Sequence, residues 1–523
     1  MPGHRAQLQR SRDPRSGAAA GRAAHPRGRS ALLLRGSHRD RRRAGNTAAV
    51  GGAEAQAFTG RPARVAEGTR ASRPLRFRTN RCGTLIDLRE GRNETVAVSS
   101  SSSTQTDEGS GRAPAAPPSE PTGWQRLRVI LVLGALVALA PLTIDMYLPA
   151  LPEIGRDLGA SSSAVQLTLT GTLLGLGLGQ LFIGPLADTV GRRTPLIAGT
   201  VLHISASLLC LVAPNIAVLG GLRVVQGVGA AATMVVALAV VRDLFSGRAA
   251  ATTLSRLMLV MGAAPVLAPS LGSAVLIAGS WRWVFGALAV LGAVLLVVAV
   301  LALRETLPPE RRRTGEVLPV LRTYGSLLAD RDFVVMVLVA ALAMSALFSY
   351  VSGASFVLQE QYGLDQQEFG IVFGAGAIAV IGASQLNVLV LGRLSARRIV
   401  LYALITAVVA GAVLMAVAFT GAGGIVGFMI PLWCMLGAVG FVMPNAPAMA
   451  LSRHGEAAGT AAALLGAGQF GLGALIAPLV GVLGNDAPAM ATIMTGGSVV
   501  ALVLLSVLMA GARRAERAAA AST

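Results

Sequence analysis

Twelve stretches, nearly free of charge, occupy most of the chain from residue 126 onward. A helix rises about 1.5 Å per residue, so roughly 20 apolar residues cross a hydrocarbon layer of about 30 Å. Lipid offers no partner to a bare peptide group, so each such stretch is confined to a helix. The stretches run over residues 128–149, 164–186, 195–213, 215–240, 255–278, 282–303, 333–357, 368–391, 399–420, 425–448, 457–483 and 488–511. The longest break, 304–332, divides them into six and six. The predicted fold class is an all-α membrane protein. Its parts are a tail over 1–125, a first six-helix bundle over 126–303, a cytosolic linker over 304–332, a second bundle over 333–511 and a cytosolic tail over 512–523.

Composition agrees with this. The chain is 53% hydrophobic and 14% charged, where soluble domains carry about 25% charged residues. A mostly soluble enzyme is excluded. All 45 basic residues are Arg and the net charge is +19. That charge sits in the tail and in short loops between apolar segments, which argues against nucleic acid as a partner.

Arg placement sets the orientation. With the N-terminus in the cytosol, eighteen Arg fall on the inner side, from Arg192 and Arg193 through Arg311, Arg312 and Arg313 to Arg513, Arg514 and Arg517. Only Arg156 and Arg282 fall outside. A missed span would scramble that alternation. Residues 1–125 hold 22 Arg and 10 acids, then Ser-, Pro- and Gly-rich text. Such a segment cannot bury a core and reads as disordered. It is either a start set too far upstream or a cytosolic tail; its ten acids argue against an organellar presequence. The sequon at Asn93 reads as chance. Cys82, Cys210 and Cys434 lie far apart, and the His residues are scattered, so no disulfide framework or metal site is expected. No P-loop, nucleotide-binding Gly motif or nucleophile–base pattern occurs, which speaks against an enzyme and against an ATP-driven pump.

Four local patterns carry more specific information. Gly184-Pro-Leu-Ala-Asp188-Thr-Val-Gly191-Arg192-Arg193 lies between the second and third spans. A weaker echo, ending in Arg397 and Arg398, follows the second span of the other half. Arg223-Val-Val-Gln226-Gly-Val-Gly-Ala-Ala places an Arg about 12 Å into the fourth span, where an unpaired charge costs several kcal/mol. Ala140-Pro-Leu-Thr-Ile-Asp145-Met-Tyr147-Leu-Pro-Ala-Leu-Pro in the first span holds the one acid well inside an apolar stretch. Counting inward from the span ends puts Asp145 and Arg223 at similar depths, so the two can share a cavity. Gly262, Pro265, Pro269 and Gly272 punctuate the fifth span; the prolines bend it and the glycines allow close packing.

These patterns resemble those of the major facilitator superfamily, and more closely the Bcr/CflA-type drug:proton antiporters. The resemblance covers about residues 126–511. Trp281-Arg-Trp-Val-Phe, Glu305-Thr-Leu, and Tyr350-Val-Ser-Gly-Ala-Ser-Phe-Val followed by QEQYGLDQQEFG match the same group. The resemblance implies proton-coupled efflux of drugs or other small amphiphiles by alternating access. The alternative is a carrier of a cellular metabolite or amino-acid derivative. It implies proton coupling at Asp145 and Arg223, a gating loop at Gly184, Asp188, Gly191, Arg192 and Arg193, and an antiporter motif at Gly262, Pro265, Pro269 and Gly272. Thr189 departs from the usual basic residue of that loop. Polar and aromatic residues inside spans are the candidate cavity lining: Tyr147, Gln166, Gln226, Tyr350, Asn387, Trp433 and Asn445, with Gln385 and Gln469. Expected partners are a small-molecule substrate, protons and the lipid bilayer, with no cofactor beyond the proton motive force, no metal, and the chain acting as a monomer in the cytoplasmic membrane.

Overall fold

The computed structural model describes residues 123–312, 317–454 and 457–521, without the side chains of 317, 318, 512, 513 and 515–521. The expectations for residues 1–122, including the Asn93 sequon and Cys82, lie outside the described residues, as does Arg313.

Among the described residues, twelve helices are long and apolar enough to cross a membrane, as the span count predicts. The first half contains α1 (Gly123–Asp145), α2 (Leu151–Asp157), α3 (Ser162–Val190), α4 (Arg193–Leu211), α5 (Ile216–Leu244), α6 (Gly247–Ile277) and α7 (Arg282–Ala302). A 3-10 turn, Leu148–Ala150, joins α1 to α2. The segment after α7 carries a helix of its own, α8 (Val317–Ala329). The second half contains α9 (Arg331–Ser355), α10 (Gln366–Leu391), α11 (Ala396–Thr420), α12 (Gly424–Leu451), α13 (Ala458–Ile476), α14 (Leu479–Val482) and α15 (Ala487–Ala521). A π-helical turn extends α9 to Gln361, and α15 runs ten residues past the expected limit of 511.

The helices are apolar on both faces because each has protein on one side and lipid on the other. On α7, Val290, Val294, Val297 and Leu301 are more than half exposed, while Leu288, Gly292, Leu295 and Ala299 on the opposite stripe are buried. Both stripes follow the i, i+4, i+7 spacing of a helix face. Each half packs as a six-helix bundle, and the halves meet mainly where α3 touches α13 and α6 touches α10.

Small residues set these contacts. A Cβ at Gly175 of α3 would strike the backbone of Val224, Gly227 and Val228 on α5, and one at Gly227 would strike Thr172 O. Close approach of this kind is how helices gain packing in lipid, where no hydrophobic drive separates them from their surroundings. We therefore expect Gly175→Leu to destabilise the first half by more than the ~1–3 kcal/mol typical of overpacking, because the obstruction is backbone. Gly221→Leu, with no atom within 4 Å of its Cβ position, should be tolerated. Size-exclusion profiles of the two fluorescently tagged variants would show this difference.

Candidate functional site

The two halves are joined by hydrogen bonds at one end of the molecule, and a cavity lies between them toward the other. At the joined end, Ser163 Oγ donates to Gly481 O (2.8 Å), and the Gln166 amide donates to Ser352 O and to the Asn485 side chain. Ser273 Oγ donates to Gln366 O at 2.6 Å, and Ser355 Oγ donates to Leu148 O at 2.7 Å. Toward the other end lies a cavity of 1130 Å³, lined by α3, α5, α6, α8, α9 and α13. Along α3 its wall runs from Gln180 to Thr189, about 14 Å at 1.5 Å per residue. Leu side chains line it together with Met234, Met258, Met261, Met344, Phe182 and Phe470, and Gln180, Gln469, Thr460 and Tyr324 are among its polar groups. Tyr324 of α8 donates from its hydroxyl to Leu181 O, which ties the linker helix to the cavity rim.

Of the expected gating-loop residues, Gly184 and Asp188 lie in the last turns of α3 and Arg193 opens α4, so Gly191 and Arg192 alone form the turn between the two helices. Gly184, Asp188 and Arg192 line the cavity mouth. Arg192 bridges Asp188 and Asp243, the latter at 2.8 Å. The backbone N–H groups of Arg192 and Arg193 donate to the Glu305 carboxylate. The Arg193 side chain reaches Val300 O. Gly191 has φ +98°, and a Cβ there would meet Glu305 and Arg312. Every one of these partners belongs to the first half or the segment just after it, so the loop does not clasp the second half. The Thr189 hydroxyl turns back onto Leu186 O.

Burial by itself would raise the Glu305 carboxyl, but N–H donors from Arg192, Leu307, Arg193 and Thr306 outweigh it and hold the group below the usual glutamate range. A folded-state value below the unfolded one contributes stability above the unfolded value of about 4.3, lost as pH falls through the folded value. Glu305→Gln should therefore lower the melting temperature of detergent-solubilised protein near pH 7. The gap to wild type should close as pH drops below about 4. A gap independent of pH would contradict this.

Asp145 is the last residue of α1 and is 4% exposed. Its carboxylate has no hydrogen bond or ion pair among the described residues. Tyr350, across the boundary on α9, lies within electrostatic reach of it. Arg223 is fully buried and does not pair with Asp145. Its Nη2 donates to Thr143 O (3.0 Å) and its Nη1 to Gln226 Oε1 (2.5 Å), and its guanidinium lies 4.0 Å from the centre of the Tyr147 ring. Carbonyl, amide and ring face thus hold a cation that depth alone leads one to expect beside the acid, while its Nε is buried without a hydrogen-bond partner. The fifth-span motif packs against the same turn: a Cβ at Gly272 would strike Met146 O, and one at Gly262 would meet Ile381 of α10 at 3.3 Å. Pro265 and Pro269 lie between them within α6.

None of the seven candidate cavity residues lines the large cavity. Tyr147 and Gln226 hold Arg223, and Gln166 is spent on the joined end. Asn387 and Asn445 bond each other at 2.7 Å between α10 and α12. Tyr350 stacks on Phe373 at 4.9 Å, and Trp433 packs against the core. Polar residues inside a bundle satisfy one another first, so polarity within a span marks packing as readily as lining. Gln469 is the residue of the wider polar set that does line the cavity. The Met walls, Gln180 and α8 were not anticipated; four Met on facing helices were the available signal.

The family description "Major Facilitator Superfamily" matches residues 133–478. Over 376 residues the chain is 39% identical to YdgK, an uncharacterized MFS-type transporter of Bacillus subtilis, covering 72% of this chain and 93% of that one. It is 31% identical over 382 residues to a bicyclomycin resistance protein homolog of Haemophilus influenzae, covering 72% and 94% of the two chains. A solved D-xylose–proton symporter shares the fold with TM-score 0.59 at 15% identity, over 73% of this chain and 96% of that one. Twelve spanning helices in two bundles, a cavity between the halves and the family match together establish that the chain belongs to the Major Facilitator Superfamily and is a multi-pass membrane transporter rather than an enzyme.

Proposed function

We propose that the chain exports drugs and other small amphiphilic compounds in exchange for protons. In this reading it lies in the cytoplasmic membrane, with both termini and the 304–332 segment in the cytosol. The observation that carries the reading is the 1130 Å³ cavity between the halves, walled mostly by apolar side chains with four Met among them and reaching the Arg-rich end at Asp188, Arg192 and Arg242. By the positive-inside rule that end faces the cytosol, so the cavity receives compounds from inside the cell. Methionine side chains are flexible and polarizable and repack around ligands of differing shape, which suits a broad substrate range. The relative named for bicyclomycin resistance points the same way. Asp145 is the proposed proton carrier, and Arg223 the fixed charge beside it. The rocking of two bundles about a central site supplies alternating access, and the substrate, protons and lipid are the only partners the reading needs, with the chain as a monomer.

The test is expression in a host lacking its own exporters, with growth measured across unrelated toxic compounds. Raised tolerance to several of them, lost when the membrane proton gradient is collapsed, is expected. Protection against none of them, with transport of a single metabolite instead, would replace drug export by metabolite carriage. Orientation is checked separately by single-Cys labelling at the exposed positions Glu310 and Gln361. The first should be shielded from an impermeant reagent added outside, and the second modified. The reverse pattern would invert the topology.

A further inference from the structure

Arg223 is one member of a closed ring of hydrogen bonds that ties α1, α4 and α5 together around the Asp145 turn. From Arg223 the ring runs to Gln226 Oε1, from Gln226 Nε2 to Ser207 Oγ (2.7 Å), and from Ser207 Oγ to His203 O (2.7 Å). The His203 ring then meets Thr143 Oγ1 at 2.9 Å, and Thr143 O returns to Arg223. All five residues are fully buried.

The donors in this ring can be assigned. Thr143 Oγ1 lies 2.6 Å from Leu139 O, which only accepts, so its one hydroxyl proton goes there. The contact with His203 is then made by the imidazole, donating from Nε2–H. Likewise the Ser207 proton goes to His203 O, so Ser207 accepts from the Gln226 amide. Within the ring Arg223 only donates, Thr143 only accepts, and Gln226, Ser207 and His203 each do both, while Arg223 Nε and His203 Nδ1 are buried without a hydrogen-bond partner. Thr143 is held twice, by His203 at its hydroxyl and by Arg223 at its carbonyl. That carbonyl is the one a continuing helix would offer to the N–H of Tyr147. The last backbone bond of α1 is instead Met146 N–H to Leu142 O, and the helix stops at Asp145.

We propose that His203 is a positioning residue for the Asp145 site: its Nε2–H clamps the final turn of α1 to the Arg223 ring and thereby sets where the Asp145 carboxyl stands. The inference rests on the reading of Asp145 as the proton carrier. The ionisable side chains around this turn are Arg223 of α5, His203 and Cys210 of α4, Tyr147 after α1, and Tyr350 of α9. Gly272 of α6, Phe285 of α7 and Gly292 of α7 close the remaining sides and carry no ionisable group. Without the His203 donor, the Thr143 hydroxyl loses one of its two fixed partners and the ring opens beside the acid. Glutamine at 203 retains an N–H of similar reach.

The experiment needs no substrate. Infrared difference spectra of the full-length protein in liposomes are titrated with pH, and the carboxyl stretch that vanishes in Asp145→Asn reports Asp145. In His203→Leu its midpoint should move by about one pH unit, a tenfold change in proton affinity, and His203→Gln should bring it back toward wild type. Thr143→Val removes the same hydrogen bond from its other end and should move the midpoint as His203→Leu does, which settles the matter if His203→Leu folds poorly. An Asp145 band with the wild-type midpoint in both His203→Leu and Thr143→Val would overturn the positioning role and leave Asp145 as carrier. If no band is lost in Asp145→Asn, the carrier reading fails, and the positioning role with it.

Discussion

Asp145→Asn is expected to abolish proton-driven transport while leaving the protein inserted and folded. Asparagine keeps the size and much of the hydrogen-bonding capacity of aspartate but cannot exchange a proton. Removing one partner of a buried ion pair leaves an uncompensated charge and costs about 3–5 kcal/mol. Asp145 has no such partner: Arg223 donates instead to Thr143 O and Gln226 Oε1 and faces the Tyr147 ring. Stability should therefore change little, and the loss should appear in coupling. A proton crossing a potential of 100 mV carries about 2.3 kcal/mol, the drive that the variant could no longer use. Substrate-induced proton movement by purified protein in liposomes measures this directly. Wild-type proton-coupled transport in Asp145→Asn would remove Asp145 from the mechanism.

A disulfide across the joined end should stop transport as completely, and reversibly. A Cβ built at Gly370 of α10 would stand 3.1 Å from Ser273 Oγ of α6. Cysteines at 370 and 273 therefore sit close enough for a bridge, whose Cβ atoms stand about 3.5–4.5 Å apart. The bridge would hold the halves together at the end that alternating access must open. In a chain whose Cys82, Cys210 and Cys434 are replaced by alanine, oxidation of the Gly370→Cys, Ser273→Cys pair should reduce transport to background. Reductant should restore it, and neither single variant should respond. Full transport by quantitatively cross-linked protein would show that this end does not need to part.

Much of the architecture was readable in the residues. Spans show because lipid demands continuous apolar helix and the charges fall at the breaks, so twelve runs of text became twelve helices with ends displaced by a few residues. The motif around Asp188 and Arg192 was expected as a loop, but α3 continues through Gly184 and Asp188 to Val190 and leaves only Gly191 and Arg192 for the turn. Lining was poorly readable: of the polar and aromatic span residues singled out, Gln469 alone lines the cavity. Gln166, Asn387 and Asn445 looked like cavity residues because they are polar in apolar text, yet each is consumed by a neighbour brought in from a distant helix.

What the sequence by itself determined is thus the number of spans, the family, and Asp145 and Arg223 as the charges that lipid does not tolerate without a reason. Only the tertiary structure decided that these two do not pair, that His203 and Ser207 close a ring around the end of α1, and that a large cavity lies between the halves toward the Asp188 end. The physical reason is range. A span is specified by some 20 consecutive residues meeting lipid, so it is written locally. A hydrogen bond between Thr143 and His203, 60 residues apart, depends on how whole helices rotate and approach. That in turn depends on where glycines such as Gly175 and Gly227 let one backbone lie against another.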